Sequence, residues 1–238
     1  MKASEVAIPR SAEAFVNVRR LLRAAARSYA LTPYQKYVST PANIRKNAAK
    51  PVRNLEIGPG RHRIENFETL NVVGGRQVDY VLDAAGPLPF SDDTFDVIYA
   101  SHVLEHIPWY QTATVFAEWA RALKRGGWLE IWVPDGLKIA RAFVAAEEIG
   151  STEFYQDDWW RFNERRDPTL WMSGRCYSYG DGTGKRSHPN WHRALFSERL
   201  LRELFAGAGL TEISSMTPAN VRGYGHGWIN LGVRGQKP

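Results

Sequence analysis

The sequence predicts an α/β chain built on a doubly wound, mostly parallel sheet, and three observations carry that prediction. A short apolar run over residues 52–57 breaks off in Gly58-Pro59-Gly60, as a buried strand does when it delivers a tight turn at its carboxyl end. Short apolar runs then alternate with amphipathic stretches as far as Ile149. Two β-like runs, residues 211–216 and 228–233, are placed to close the sheet as a terminal pair.

At 238 residues the chain suits one domain with an extension. Its single cysteine, Cys176, excludes an internal disulfide and fits a reducing compartment. No run of about 18 apolar residues occurs and no secretory leader pattern opens the chain, so a cytoplasmic protein is expected. The net charge of +6 is lopsided: residues 1–50 hold ten Lys/Arg against two Glu, while residues 51–238 are slightly acidic. The chain therefore divides into a basic helical N-terminal arm, 1–50, and a main domain, 51–238. A slightly acidic domain argues against nucleic acid as its partner.

Within the arm, residues 11–30 read as a helix capped by Ser11, with Phe15, Val18, Leu21, Leu22 and Ala25 on one stripe and four arginines largely off it. Such a helix packs on the domain with a solvated basic face, or makes peripheral contact with a protein or the inner face of a membrane. Pro33 and Pro41 mark a linker, and a short helix follows over 42–49. Strands are predicted at 52–57, 69–73, 78–82 and 95–100, the first crossover being only about ten residues long. A helix over 111–124 carries Val115, Phe116, Trp119 and Leu123 and is stopped by Gly126-Gly127. A strand at 128–133 ends at Pro134-Asp135, and a helix follows over 137–149. Residues 151–191 break the pattern with a dense run of aromatics and a glycine-rich stretch around Gly180–Gly184. Phe196-Ser197 restores order as staple and cap of a helix over 198–208.

The turn after the first strand discriminates among nucleotide ligands. A dinucleotide site wants G-x-G-x-x-G opening a full helix. Here Gly58-Pro59-Gly60-Arg61-His62-Arg63 lacks the third glycine, and no full helix follows. S-adenosylmethionine fits better: it carries no phosphate but a sulfonium, an ammonium and a carboxylate beside an adenosine. Glu56 favours the cationic end, the turn admits the amino-acid moiety, and Asp83 can accept from the adenine amino group.

Six ordered pieces then resemble the class I S-adenosylmethionine-dependent methyltransferases, in their compact type 11-like branch with a Rossmann-like sheet. They are Leu55-Glu56-Ile57-Gly58-Pro59-Gly60, Leu70-Asn71-Val72, Val81-Leu82-Asp83-Ala84 with Leu88-Pro89-Phe90, Phe95-Asp96-Val97-Ile98, Ser101-His102-Val103-Leu104-Glu105-His106, and Ala122-Leu123-Lys124-Arg125-Gly126-Gly127. The resemblance implies that Glu56, Gly58, Pro59 and Gly60 cradle the methionine part of the cofactor. It implies that Asp83 and Ala84 border the adenine, and that Ser101 and His102 line the site after the fourth strand. The family's acid at the end of the second strand is replaced: Val73 stands in its place, so either Asn71 substitutes for it at the ribose or ribose binding is weakened.

His102, Glu105 and His106 share one face if a helical turn starts after Ala100. They could bind a divalent metal, supply a base from His102 or His106, or pack as structure; no metal is assigned, and His102 and His106 are the catalytic candidates. The aromatic segment 151–191 is expected to form an acceptor-side lid, with Asp135, Trp159, Trp160, Tyr179, His188 and His192 as lining candidates, although many of its aromatics fill a satellite core. Two functions follow. One is an S-adenosylmethionine-dependent methyltransferase acting on a small polar acceptor, foremost a sugar or glycan hydroxyl or amine. The other is a catalytically silent methyltransferase-fold module acting as a scaffold or binding partner.

Overall fold

The computed structural model describes residues 31–60, 63–157, 160, 162–177 and 188–238. The helix expected over 11–30 lies outside the described residues. Seven strands form one sheet: β1 (Asn54–Ile57), β2 (Phe67–Asn71), β3 (Tyr80–Val81), β4 (Phe95–Ser101), β5 (Leu123–Pro134), β6 (Thr211–Met216) and β7 (Asn230–Gln236). Their order is β3-β2-β1-β4-β5-β7-β6. Strands β1 to β5 pair in parallel, and β7 runs antiparallel between β5 and β6. The doubly wound, mostly parallel sheet and its terminal β6–β7 pair are as expected.

Alternation along the strands builds the core. Leu55, Ile57, Leu70, Ile98, Ala100, Leu129, Ile131 and Val133 share one buried cluster with residues of α2 (Thr112–Ala122) and α5 (Glu198–Gly207). On α2 the buried Val115, Phe116 and Trp119 stand at helical spacing. Phe116 meets Phe205 of α5 edge to face, with ring centroids 5.1 Å apart. A smaller cluster holds Phe67, Tyr99, Trp132 and Met216, with Ile64 and Val221 packed against it.

Several boundaries move, each for a physical reason. The strand expected over 69–73 starts earlier and ends at Asn71, leaving Val72 and Val73 exposed. The helix expected to reach Lys124 ends at Ala122. Leu123 is extended and pairs with Phe95, and a register irregularity follows before Trp128 pairs with Val97. The Lys124 ammonium, 2.7 Å from Asp96, ties this segment to β4.

No linker separates Pro33 from Pro41. Helical backbone runs from residue 31 through a π-helical turn, Gln35–Ser39, into α1 (Thr40–Asn47). Pro41 lacks an N–H and crowds the carbonyl four residues before it, and a wider turn accommodates both effects. This stretch covers the open edge of β3. Thr40 Oγ1 accepts from the Val81 N–H at 2.8 Å, while Asn43 Nδ2 and Gln35 Nε2 donate to the carbonyls of Asp79 and Gly75 at 2.9 and 2.8 Å. The Val81 N–H and the Asp79 carbonyl are groups an uncovered edge strand would leave unpaired.

The segment after β5 holds more order than its composition suggests. α3 (Gly136–Ile149) is capped by Asp135, whose carboxylate accepts from the Leu137 and Lys138 N–H groups at 3.0 Å. α4 (Pro168–Tyr177) is a helix that the sequence reading missed. Its start was signalled by Asp167-Pro168, a cap followed by proline, with the Leu170 N–H donating to Asp167 at 2.9 Å. Trp171 of α4 is fully buried, donates to Asp157 at 2.7 Å and packs with Ile139, Ala142, Phe154 and Ile229.

Candidate cofactor and acceptor site

Strand register lines the candidate residues up along one edge. Ile57 pairs with Leu70 on one side and Ala100 on the other, so Gly58, Asn71 and Ser101 stand side by side at the carboxyl ends of β1, β2 and β4. Asn71 in turn pairs with Val81, two residues before Asp83. Ligands bind at this edge in open parallel sheets, because it presents main-chain groups and loops rather than packed side chains.

Gly58 has φ of +73°, and its N–H donates to the Leu70 carbonyl at 2.8 Å. A Cβ there would come within 2.2 Å of Val103 Cγ2. Both the backbone angle and the space demand glycine. Around Gly60 a Cβ would meet nothing within 4 Å, so the mouth of the turn is open. Glu56 is buried beneath it and accepts from the Ile64 N–H at 3.3 Å. Burial pushes its carboxyl above the ordinary value, while the Ile64 N–H and the Arg63 guanidinium pull the other way.

Asn71 sits at the tip of β2, and its Oδ1 accepts from the next residue's N–H at 2.9 Å. The strand tip is therefore Asn71, and Val73 lies two residues beyond it. Asp83 is exposed and accepts from the Ala85 N–H at 2.9 Å, and the Ala84 carbonyl takes the Trp119 indole N–H at 3.0 Å. These bonds hold the loop after β3 against α2.

The turn after β4 is not the helical turn expected after Ala100. The strand continues through Ser101, His102 adopts φ of +53°, and a 3-10 turn starts at Leu104. This conformation, uncommon for a residue with a Cβ, aims His102 inward. Its Nδ1 lies 3.2 Å from Glu105 Oε1, and its Nε2 lies 2.8 Å from the Asn230 amide on β7. The amide can present oxygen or nitrogen, so it suits either protonation state of the ring. His226 stacks on His102, with ring centroids 3.5 Å apart.

His106 Nδ1 faces the Trp191 carbonyl at 3.3 Å, and its ring meets that of His192 at 5.0 Å. His192 Nδ1 lies 2.6 Å from the Arg175 carbonyl. The chain around His192 is held by main-chain bonds from Arg193 and Ala194 to the Glu105 carbonyl, at 2.6 and 3.2 Å. No spacing in the sequence announced that His192 and His226 would converge on Glu105.

Burial alone would push the Glu105 carboxyl up. The His102 imidazole beside it, with lesser help from His106 and His192, brings it down to about 2 instead. His226 moves the opposite way from a cation's preference: burial, then His102, lowers it to about 4, against the pull of Glu105. A histidine that is neutral when folded and near 6.5 when unfolded adds stability above about pH 6.5, and that stability is lost as pH falls through 4. His192, lowered chiefly by burial, acts in the same direction. The urea midpoint should therefore drop between pH 6.5 and 4, and His226→Phe should show a visibly shallower drop. An unchanged slope in that variant would remove His226 from this account.

The acceptor candidates are placed unevenly. Asp135 spends its carboxylate on the start of α3, and Trp160 packs against Phe154 and the Arg166 guanidinium. His188 takes the Asn190 N–H at 3.2 Å on its Nδ1. Trp159 and Tyr179 lie outside the described residues. Among the described residues, no helix is long and apolar enough to cross a membrane.

An open seven-stranded sheet in this order, with a glycine turn after β1 and polar residues at the ends of β2, β3 and β4, is a Rossmann-like methyltransferase arrangement. Residues 43–131 match the methyltransferase domain family. Similar solved structures include a Thermotoga maritima protein described as a possible histamine N-methyltransferase, at 19% identity over 92% of this chain and 97% of that one, with a TM-score of 0.43. Another is the Burkholderia thailandensis 1,6-didemethyltoxoflavin-N1-methyltransferase with bound 1,6-didemethyltoxoflavin and S-adenosylhomocysteine, at 15% identity over 98% and 93%, with a TM-score of 0.46. A third is a Haloferax volcanii methyltransferase in complex with the Trm112 activator, at 14% identity over 90% and 95%, with a TM-score of 0.44. Comparison with curated proteins finds no match.

Proposed function

We propose that the chain transfers a methyl group from S-adenosylmethionine to a hydroxyl or amine of a small polar acceptor, foremost a sugar or glycan. The observation that carries the cofactor half is Gly58: its positive φ and its contact with Val103 keep a main-chain cradle where any side chain would intrude. Glu56, Gly58, Pro59 and Gly60 hold the amino-acid end in this reading. Asn71 faces the ribose, and Asp83 and Ala84 border the adenine. The cofactor supplies an electrophilic methyl on a sulfonium, and transfer depends chiefly on alignment.

The chain's own part is to position the acceptor and manage one proton. His102 is the proposed base: with Nδ1 facing Glu105 at 3.2 Å, its Nε2, on leaving the Asn230 amide, can take the proton that the acceptor oxygen or nitrogen gives up as the methyl bond forms. His106 backs this cluster. The segment 151–191 serves as the lid, Trp159, Trp160, Tyr179, His188 and His192 supplying aromatic and polar lining and Asp135 anchoring its entry. Residues 1–50 remain an arm in this proposal, its basic face available to a protein partner.

Calorimetry with S-adenosylhomocysteine tests the cofactor assignment. One-to-one binding is expected. A folded protein that gives no heat at high protein concentration would leave the silent-module reading in its place. Asn71→Asp should tighten binding roughly fivefold, since hydrogen bonds to a charged acceptor exceed neutral ones by about 1 kcal/mol. Weaker binding in that variant would displace the ribose from β2. Mass spectrometry of activated sugars incubated with enzyme and cofactor tests the acceptor class, with a gain of one methyl as the expected product.

A further inference from the structure

We propose that Glu105, His106 and His192 form a binding site for a divalent first-row transition metal. One donor atom from each lies within 4.8 Å of the other two. Two imidazoles and one carboxylate make a nitrogen-rich donor set that suits Zn2+, Co2+, Ni2+ or Fe2+ and leaves positions open for solvent or substrate. Bonds of about 2.0–2.2 Å would require the three side-chain ends to close by an ångström or so.

Two further observations point to a cation. The first is Glu105 itself, 2% exposed, with neither carboxylate oxygen accepting a hydrogen bond from the described residues. Its ion-pair contact is His102 Nδ1, at 3.2 Å from one oxygen. A buried carboxylate with open lone pairs demands an explanation, and a bound ion is one. The second is the outer arrangement of the imidazoles. His106 and His192 each turn Nδ1 to a main-chain carbonyl, at 3.3 and 2.6 Å. A proton donated there places the lone pair on Nε2, which is how metal-binding histidines are oriented.

The third ligand is long-range in sequence but firmly delivered. Main-chain bonds from Arg193 and Ala194 to the Glu105 carbonyl bring His192 to the same residue that supplies the carboxylate. The metal would tie the turn after β4 to the segment entering α5. It would take His106 as a ligand and leave His102 to handle the proton. The site stands apart from the cofactor assignment, because its occupancy is read without S-adenosylmethionine.

Co2+ added to the chelator-treated full chain should bind one per chain and produce visible ligand-field absorption. His192→Phe keeps the ring's bulk and should weaken Co2+ at least about 100-fold, with Glu105→Gln doing the same. Both variants are first checked by circular dichroism. His226→Phe, outside the donor set, should bind Co2+ as wild type does. Failure of the wild-type chain to take up stoichiometric Co2+ would overturn the proposal whatever the variants do. Unchanged affinity in a folded His192→Phe would overturn it as well.

Discussion

Gly58→Ala should weaken S-adenosylhomocysteine binding by at least about 100-fold while leaving the sheet folded. The substituted methyl would sit 2.2 Å from Val103 Cγ2, far inside contact distance, on a backbone at φ of +73°. The left-handed conformation costs an L-residue about 1–2 kcal/mol, and overpacking adds about 1–3 kcal/mol. The turn escapes both by swinging away from Val103, which dismantles the cradle. Adding Val103→Ala separates the two contributions: it relieves the overlap but not the backbone strain, so binding should return only in part. Wild-type affinity in Gly58→Ala, measured by calorimetry, would mean that the cofactor does not rest on this turn.

Arg53→Met should cost about 3–5 kcal/mol of stability, the range for stripping one partner from a buried ion pair. Arg53 and Glu68 are 6% and 3% exposed and meet in a two-pronged pair, with Nε at 3.0 Å and the terminal nitrogen at 2.8 Å. The Tyr80 hydroxyl donates to the same carboxylate at 2.5 Å and accepts from Asn47 Nδ2 at 2.7 Å. The guanidinium also lies over the Phe95 ring, 4.8 Å from its centroid. Methionine fills the space but leaves the Glu68 charge with Tyr80 and Lys50, whose ammonium is 3.7 Å away and half exposed. Urea unfolding gives the number, and a loss under about 1 kcal/mol would contradict the picture. The double variant Arg53→Met/Glu68→Leu should recover most of the loss, because no charge is then stranded.

What could be read from the sequence depended on how local the cause was. Glu56 to Gly60 was readable because a glycine turn at a strand end is a steric demand met within six residues. The strands from β1 to β5 followed from apolar runs of the right length, and the terminal pair from its place after the last helix. Boundaries failed where tertiary contacts decided them. Leu123 left its helix to pair with Phe95, and Pro41 was absorbed by a π turn that no propensity rule anticipates.

The site divides in the same way. His102, Glu105 and His106 were singled out by spacing, and His102 does face Glu105. His192 appeared only as a lid residue, because 86 positions separate it from His106 and only the fold closes that gap. Asp135 was read as an acceptor ligand, yet capping signals were present: an aspartate directly before a helical pattern is a cap before it is anything else.

The covering of β3 has a consequence for the order in which this chain can become native. Synthesis delivers the helical stretch 31–47 before the strand whose edge it caps, so its Gln35, Thr40 and Asn43 side chains wait for partners some 40 residues downstream. The sheet's outermost strand, only two residues long, cannot hold its own boundary. Assembly of that flank thus waits for residues 75–81, and the helical stretch becomes fixed only when β3 arrives to meet it.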